Sequence, residues 1–184
     1  DHHANVAPWR ALERERRVKV GMVSMRASDG TLDFDHLRES LTPRTRLLAI
    51  GAASNALGTI TDVRSAAALA REHGALVFVD ALHYAPHVLT DVAALDADFL
   101  GCSAYKFYGP HIGALWGREK LLASLDVPKL DPAPEESPGR LETGTQNQEG
   151  IAGVTATIDF LAELGRPFVP GTTSRRGALA AFYD

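Results

Sequence analysis

A single cysteine, Cys102, occurs among the 184 residues of this sequence. One cysteine cannot close a disulfide within the chain, and it excludes a zinc site built from several cysteines. Scarcity of cysteine is typical of proteins that work in a reducing compartment, so we expect the protein to be cytoplasmic.

The sequence also has fewer basic than acidic residues, and it has no long apolar run. The 19 Lys and Arg residues are outnumbered by 23 Asp and Glu residues, and a formal charge of -4 does not predict the basic face that nucleic acid requires. No apolar run approaches the roughly 20 residues that cross a bilayer. The start, Asp1-His2-His3, lacks the basic and apolar segments of a signal peptide. We therefore expect neither nucleic acid nor a membrane as a partner.

What is present is an ordinary globular composition, with 45% apolar and 23% charged residues. The length suits one well-buried domain and is too short for two of ordinary size. The sequence has no initiator Met, and residues 174–183 have the pattern of a helix in progress. We expect a piece of a longer protein.

Strand-like and helix-like stretches alternate along the chain. Apolar runs predict strands over residues 45–50, 75–79, 99–103 and 113–117, and alternation predicts another over 18–22. Helices are predicted over residues 5–16, 62–73 and 151–165, and prolines predict an irregular connection over 127–139. This succession predicts an α/β fold, a three-layer, mostly parallel sheet with helices on both faces.

Three chemically distinct side chains follow predicted strands. Asn55 comes after the first run, Asp80 ends the run ALVFVD, and Lys106 comes shortly after FLGCS. Ligands of such sheets bind beyond the carboxyl ends of the strands, so an amide, a carboxylate and an amine are predicted at one ligand-binding edge. This set suits a pyridoxal cofactor, which forms an imine with an amine and keeps its pyridinium nitrogen protonated beside a carboxylate.

Each of these residues alone also fits a plainer role. An Asp after a strand is usually an N-cap or a loop residue, by odds of roughly four to one. A Lys beside aromatic residues and Gly-Pro is usually a surface side chain, at similar rough odds. An Asn before Ala-Leu-Gly can simply set a turn. The local pattern leaves both interpretations open.

Longer motifs carry a family resemblance. The segments Asp80-Ala-Leu-His83-Tyr-Ala-Pro-His87 and Ser103-Ala-Tyr-Lys106-Phe-Tyr-Gly-Pro resemble class V aminotransferases, a family of fold type I pyridoxal-phosphate (PLP) enzymes. Within that family they are most similar to the cysteine desulfurase and selenocysteine lyase branch. Further matching blocks, in the family's order and spacing, are His2-His3-Ala4-Asn5-Val6-Ala7-Pro8-Trp9, Ser54-Asn55-Ala56-Leu57-Gly58-Thr59, Leu95-Asp-Ala-Asp98-Phe and Glu142-Thr143-Gly144-Thr145-Gln146-Asn147.

The resemblance implies a domain organisation. Residues 1–165 would be the PLP-binding large domain, incomplete at its N-terminus, and residues 166–184 would begin the connection to a small C-terminal domain that this sequence lacks. The fold expected is therefore the large domain of fold type I PLP enzymes, truncated at both ends. The family also implies a homodimer.

The resemblance implies roles for eight residues. Lys106 would hold PLP as a Schiff base and later move a proton at the substrate α carbon, and Asp80 would pair with the pyridine nitrogen. His83 stands where the family usually has Gln, beside the ring oxygen, and His2 matches a histidine that stacks over the ring and takes part in acid–base steps. The other implied contacts are Asn55 at the ring oxygen or substrate carboxylate, Ser103 and Tyr105 (in place of the family's His) at the phosphate, and Thr145 at the phosphate of the other subunit.

Two family features are missing from the sequence: the glycine-rich phosphate-cup segment and the small domain. In the family, that domain carries an arginine that binds the substrate carboxylate and, in desulfurases, a nucleophilic cysteine that Cys102 does not match. We expect a PLP-dependent lyase or transferase that acts on an amino acid and is cysteine desulfurase-like, with these 184 residues inactive alone. The alternatives are a class V aminotransferase, an isopenicillin-epimerase-like enzyme, or a non-catalytic relic domain.

Overall fold

Four strands of five residues each form a single sheet in the computed structural model, which describes residues 1–184. The strands are β1 (Leu47–Gly51), β2 (Leu76–Asp80), β3 (Phe99–Ser103) and β4 (Gly113–Gly117). They lie side by side in chain order, with β1, β2 and β3 parallel and β4 antiparallel to β3. The four main strand predictions and the mostly parallel sheet are confirmed.

Six α-helices accompany the sheet, namely α1 (Ala7–Glu15), α2 (Phe34–Ser40), α3 (Val63–Glu72), α4 (Glu119–Ser124), α5 (Gln148–Gly165) and α6 (Arg175–Tyr183). Short 3₁₀ turns occupy His3–Asn5, Ala104–Phe107, Gly139–Leu141 and Arg166–Phe168. Four of the helices begin at capping side chains, which accept hydrogen bonds from backbone N–H groups of the first turn: Asp33, Asp62, Asn147 and Ser174. None of the helices is both long enough and apolar enough to cross a membrane.

Helices cover both faces of the sheet because the side chains of β2 alternate between them. Val77 and Val79 are fully buried in a core that includes the small residues Ala66 and Ala70 of α3. Phe78 points to the opposite face, where its ring meets the ring of Trp9 from α1 edge to face, with centroids 5.5 Å apart. By the same alternation, Asp80 lies on the face of Phe78. The predicted layering is confirmed.

The buried carboxylate of Asp98, just before β3, connects β2, α3 and the end of β4. The Asp98 Oδ2 atom accepts hydrogen bonds from the Val77 backbone N–H at 2.8 Å and from the Arg71 guanidinium of α3, and its Oδ1 lies 2.9 Å from Arg118 Nε. Asp96 pairs with the same two arginines. Although burial opposes ionisation of Asp96, Arg71 and Arg118 together lower its pKa. This network holds α3 and the end of β4 against the sheet. No sequence pattern predicted it.

The strand predicted over Val18–Met22 is wrong. These residues join no sheet, and Val18 and Met22 are 44% and 55% exposed. A strand needs a neighbour that accepts its backbone hydrogen bonds, and the nearby pairing is one isolated bridge between Met25 and Leu32. Residues 18–22 therefore have no neighbouring strand with which to form a β-ladder.

The last two helices pack against each other at a glycine. A Cβ atom on Gly165 of α5 would lie 1.9 Å from the Ala178 carbonyl oxygen of α6, so only glycine permits this approach. The Tyr183 hydroxyl of α6 donates to the Ala85 carbonyl oxygen at 2.9 Å, and Arg176 pairs with Asp91. Helix α6 is thereby fastened to the segment that follows β2.

Candidate active site

The carboxyl ends of three neighbouring parallel strands carry polar side chains. Asp80 is the last residue of β2, Asn55 lies four residues beyond β1, and Lys106 lies in the 3₁₀ turn directly after β3. Because β1, β2 and β3 are adjacent and parallel, these positions share one edge of the sheet. The edge thus carries an amide, a carboxylate and an amine.

The two carboxylate oxygens of Asp80 differ in their hydrogen bonding. Its Oδ1 accepts a hydrogen bond from the Leu82 backbone N–H at 3.0 Å, and its Oδ2 has no hydrogen-bond partner in the chain. The residues paired with Asp80 on the two flanking strands are Gly51 and Gly101. A Cβ atom on Gly101 would touch only the Phe78 ring, 3.6 Å away, so no side chain fills the space beside the carboxylate on that strand.

Lys106 is half-buried and forms no ion pair or hydrogen bond through its amine. The Nζ atom instead lies 5.1 Å from the centroid of the Tyr105 ring. That ring stacks on the His111 ring at 5.1 Å between centroids and 12° between planes. An amine without a carboxylate partner remains available for covalent chemistry with a carbonyl group.

His83 is half-buried within electrostatic reach of the other two groups. Burial lowers its pKa, the positive charge of Lys106 lowers it further, and the Asp80 carboxylate acts in the opposite direction. The imidazole therefore stays neutral to a lower pH than an exposed histidine. His83 therefore lies within electrostatic reach of both Lys106 and Asp80.

An open cavity of about 250 Å³ lies beside His83. Asn55 lines its rim together with Tyr84 and His87, and Ile60 supplies part of the apolar wall. His87 is not among the site residues predicted from the sequence. The available signal was its position four residues after His83, in a segment of turns that follows β2.

The N-terminal residues are fastened at the same edge. Asp1 Oδ1 accepts a hydrogen bond from the Gly51 backbone N–H at 3.0 Å, and its Oδ2 accepts one from the Asn5 side chain. His2 follows directly, with its Nδ1 accepting from the Ala4 backbone N–H. After burial and Lys106, a charge on His2 also lowers the pKa of His83, so the two imidazoles lie within electrostatic reach of each other.

The remaining candidate residues differ in their positions. Ser103 shares the face of Asp80 by strand alternation, and its hydroxyl makes no capping hydrogen bond to the following turn. Thr145 is exposed in the loop before α5, and no contact within the chain brings it to Asp80. Cys102 points to the opposite face, where it packs against the core and burial raises the pKa of its thiol.

The family is shown by a match to the aminotransferase class-V family over residues 1–170. The chain belongs to that family. It is 37% identical over 179 residues to a cysteine desulfurase of Pectobacterium atrosepticum, and 38% identical over 178 residues to one of Salmonella choleraesuis. Each alignment covers 90% of this chain and 44% of the relative, so the chain spans less than half the length of these curated relatives.

Solved structures give the same fold. The cysteine desulfurase CsdA of Escherichia coli superposes with a TM-score of 0.81 at 35% identity, covering 89% of this chain and 44% of that one. The cysteine desulfurase of Thermococcus onnurineus superposes with a TM-score of 0.82 at 30% identity, covering 90% and 44%. The predicted resemblance and the predicted fold, the large domain of fold type I PLP enzymes, are confirmed.

Proposed function

We propose that this chain is the cofactor-binding part of a PLP-dependent, cysteine desulfurase-like enzyme that acts on an amino acid. The observation that carries the proposal is the set of Asp80, Lys106 and Asn55 at three adjacent strand ends of a class V aminotransferase domain. The family and the similarity to cysteine desulfurases support PLP as the cofactor and cysteine as the first substrate to test.

The residues at this edge fit PLP. The Asp80 Oδ2 is free to accept a hydrogen bond from a protonated pyridine nitrogen, and the glycine beside it on β3, Gly101, leaves room for a flat ring. The Lys106 amine has no carboxylate partner and can form a Schiff base with the cofactor's aldehyde. Ser103 and Tyr105 offer hydroxyl groups that would bind the phosphate, and Thr145 would serve the phosphate of the partner subunit in a homodimer.

Each residue then has a distinct chemical task. PLP, when bound, supplies an electron sink that stabilises the charge left when a substrate loses its α proton. Asp80 would keep the nitrogen proton in place, and the Lys106 amine would move the proton at the α carbon. His83 is held neutral at physiological pH and would donate an N–H to the ring oxygen, with Asn55 beside it. His2 would cover the ring and take part in proton transfer.

We further propose that residues 1–165 form the large domain and residues 166–184 start the connection to a small one. The 184 residues alone would not transfer sulfur. Their one cysteine, Cys102, points away from the face of Asp80 and has a raised thiol pKa, so it is unsuited to attack sulfur at this edge. A turnover of L-cysteine by these 184 residues with added PLP would contradict this part.

The test of the cofactor site uses the protein expressed with any sequence that naturally flanks these residues. With PLP added, we expect a yellow protein whose colour is lost on borohydride reduction and whose adduct maps to Lys106. Lys106→Ala should remove the adduct, whereas Lys120→Ala, at an exposed lysine of α4, should keep it. A colourless protein would instead favour the non-catalytic relic, and a reducible adduct in Lys106→Ala would disprove the lysine assignment.

Product analysis then separates the possible reactions. Sulfide and alanine formed from L-cysteine would support desulfuration. An inverted stereocentre would favour the isopenicillin-epimerase-like alternative, and a keto acid would favour an aminotransferase.

A further inference from the structure

We propose that Tyr105 is a positioning residue whose ring face orients the amine of Lys106. This inference rests on the proposed function, because it assigns a role in presenting that amine to a cofactor. It deepens that function by naming a contact made through the ring of Tyr105 rather than through its hydroxyl.

The contact itself is the first argument. The Lys106 Nζ atom lies 5.1 Å from the Tyr105 ring centroid, within the range in which a cation is attracted to a ring face. No carboxylate and no hydrogen bond holds the amine, although the side chain has four rotatable bonds. With no ion pair or hydrogen bond at the amine, the Tyr105 ring is the group that we expect to restrict where it points.

The ring is in turn held by its neighbours in the loop between β3 and β4. Tyr105 stacks nearly parallel on His111, with an interplanar angle of 12°. His111 comes opposite Tyr105 because the loop is closed across its base by a hydrogen bond from the Ala104 N–H to the Ile112 carbonyl at 2.8 Å. The stack thus follows from the antiparallel pairing of β3 with β4.

Helix α5 supports the same loop from outside. Cβ atoms on Gly150 and Gly153 would lie 2.5 Å from Ile112 and 3.1 Å from Pro110, the two residues that flank His111. Glycine at both positions lets the helix lie directly against the loop. The loop that carries His111 is therefore packed against α5, and the stack with His111 would limit the rotation of the Tyr105 ring.

Two reactions of Lys106 should respond in opposite directions when the ring is removed. In Tyr105→Leu, the amine becomes freer, so its acylation by acetic anhydride in cofactor-free protein should be about two- to fivefold faster relative to Lys120. Formation of the reducible adduct at saturating PLP should be slower by about the same factor, because the amine is no longer held in one orientation. Tyr105→Phe keeps the ring and loses only the hydroxyl proposed for the phosphate, so its acylation rate in cofactor-free protein should match that of the wild type.

The control is Tyr108→Leu, the same change at a tyrosine of the same loop that is 78% exposed and should alter neither rate. Equal rates in Tyr105→Leu and the wild type would refute the positioning role, as would a Tyr105→Phe protein whose Lys106 is acylated as fast as in Tyr105→Leu. A wild-type protein that never forms the adduct on Lys106 would refute the proposed function alone, since the acylation measurement needs no cofactor.

Discussion

Asp98 accepts a hydrogen bond from the backbone N–H of Val77 at 2.8 Å, and this contact is buried between β2 and the start of β3. The same carboxylate meets two guanidinium groups. We predict that Asp98→Ala lowers the free energy of unfolding by about 3 kcal/mol, because it leaves a buried N–H without its partner and removes one of the two carboxylates that pair with Arg71 and Arg118. Urea unfolding with an unchanged m-value measures the effect.

The matched control for that prediction is Asp159→Ala. Asp159 also pairs with an arginine, Arg175, but both side chains are more than half exposed. Its loss should cost no more than about 0.5 kcal/mol. Equal effects of the two substitutions would mean that burial of Asp98 has no energetic consequence.

Asp80→Asn tests the carboxylate at the opposite edge. The amide keeps an oxygen for the Leu82 N–H, so stability should change by less than about 1 kcal/mol. Under the proposed function, removal of the charge that would hold the pyridine nitrogen should lower turnover of L-cysteine on the order of 100-fold, measured on protein expressed with any natural flanking sequence. Unchanged turnover with PLP bound would rule out Asp80 as the partner of that nitrogen.

Gly101→Val tests the space beside Asp80. The added Cβ meets only the Phe78 ring at 3.6 Å, an ordinary contact, so the protein should fold. The branched side chain would occupy the room proposed for the cofactor ring, and we expect the Kd for PLP to rise about tenfold or more. Absorbance titration measures it, and an unchanged Kd in a folded variant would mean that the ring lies elsewhere.

The pH dependence of stability should include a contribution from His83. Its pKa is lowered in the folded protein by burial and by Lys106, so below about pH 6.5 the unfolded chain binds more protons than the folded one. The stability associated with neutral His83 is complete above that pH and decreases as the pH falls. Between pH 7.5 and pH 5.5, His83→Gln should therefore lose less unfolding free energy than the wild type; an equal loss would contradict the shift.

Cys102 should resist alkylation in the native state. Burial raises the pKa of its thiol, and the thiolate is the reactive form. We expect iodoacetamide at pH 7.5 to label the folded protein at least about tenfold more slowly than the urea-unfolded chain. Mass spectrometry provides the measurement, and equal labelling rates would show that the thiol is accessible.

Much of the fold could be predicted because local sequence patterns mark its strands and helices. Continuous apolar runs mark β2 and β3, and Asp62 followed by small apolar residues marks α3. Three parts of the fold did not follow from pattern. The stretch Val18–Met22 alternates like a strand but has no neighbour to pair with, and no pattern predicted the short helices α2 and α4, although Asp33, the cap of α2, is a residue type favoured at that position.

The candidate site, like the fold, has one part that the sequence predicts and another that it does not. The positions of Asp80, Asn55 and Lys106 after strands could be read from the sequence, because parallel strands bring their ends together. The stacking of Tyr105 on His111 could not, since it depends on how the loop closes. The pairing of Asp98 with Arg118 likewise depends on the register between β3 and β4, which no local pattern specifies.

Asp98 is hydrogen-bonded near the start of β2, and Asp80 is the last residue of that same short strand. Val77, which Asp98 holds, and Asp80 are three residues apart on β2, a rise of about 10 Å. A lineage could therefore lose its chemistry at one end by mutation and still inherit a folded domain secured at the other. In proteins of this architecture, a conserved fold is therefore weak evidence that catalysis is conserved as well.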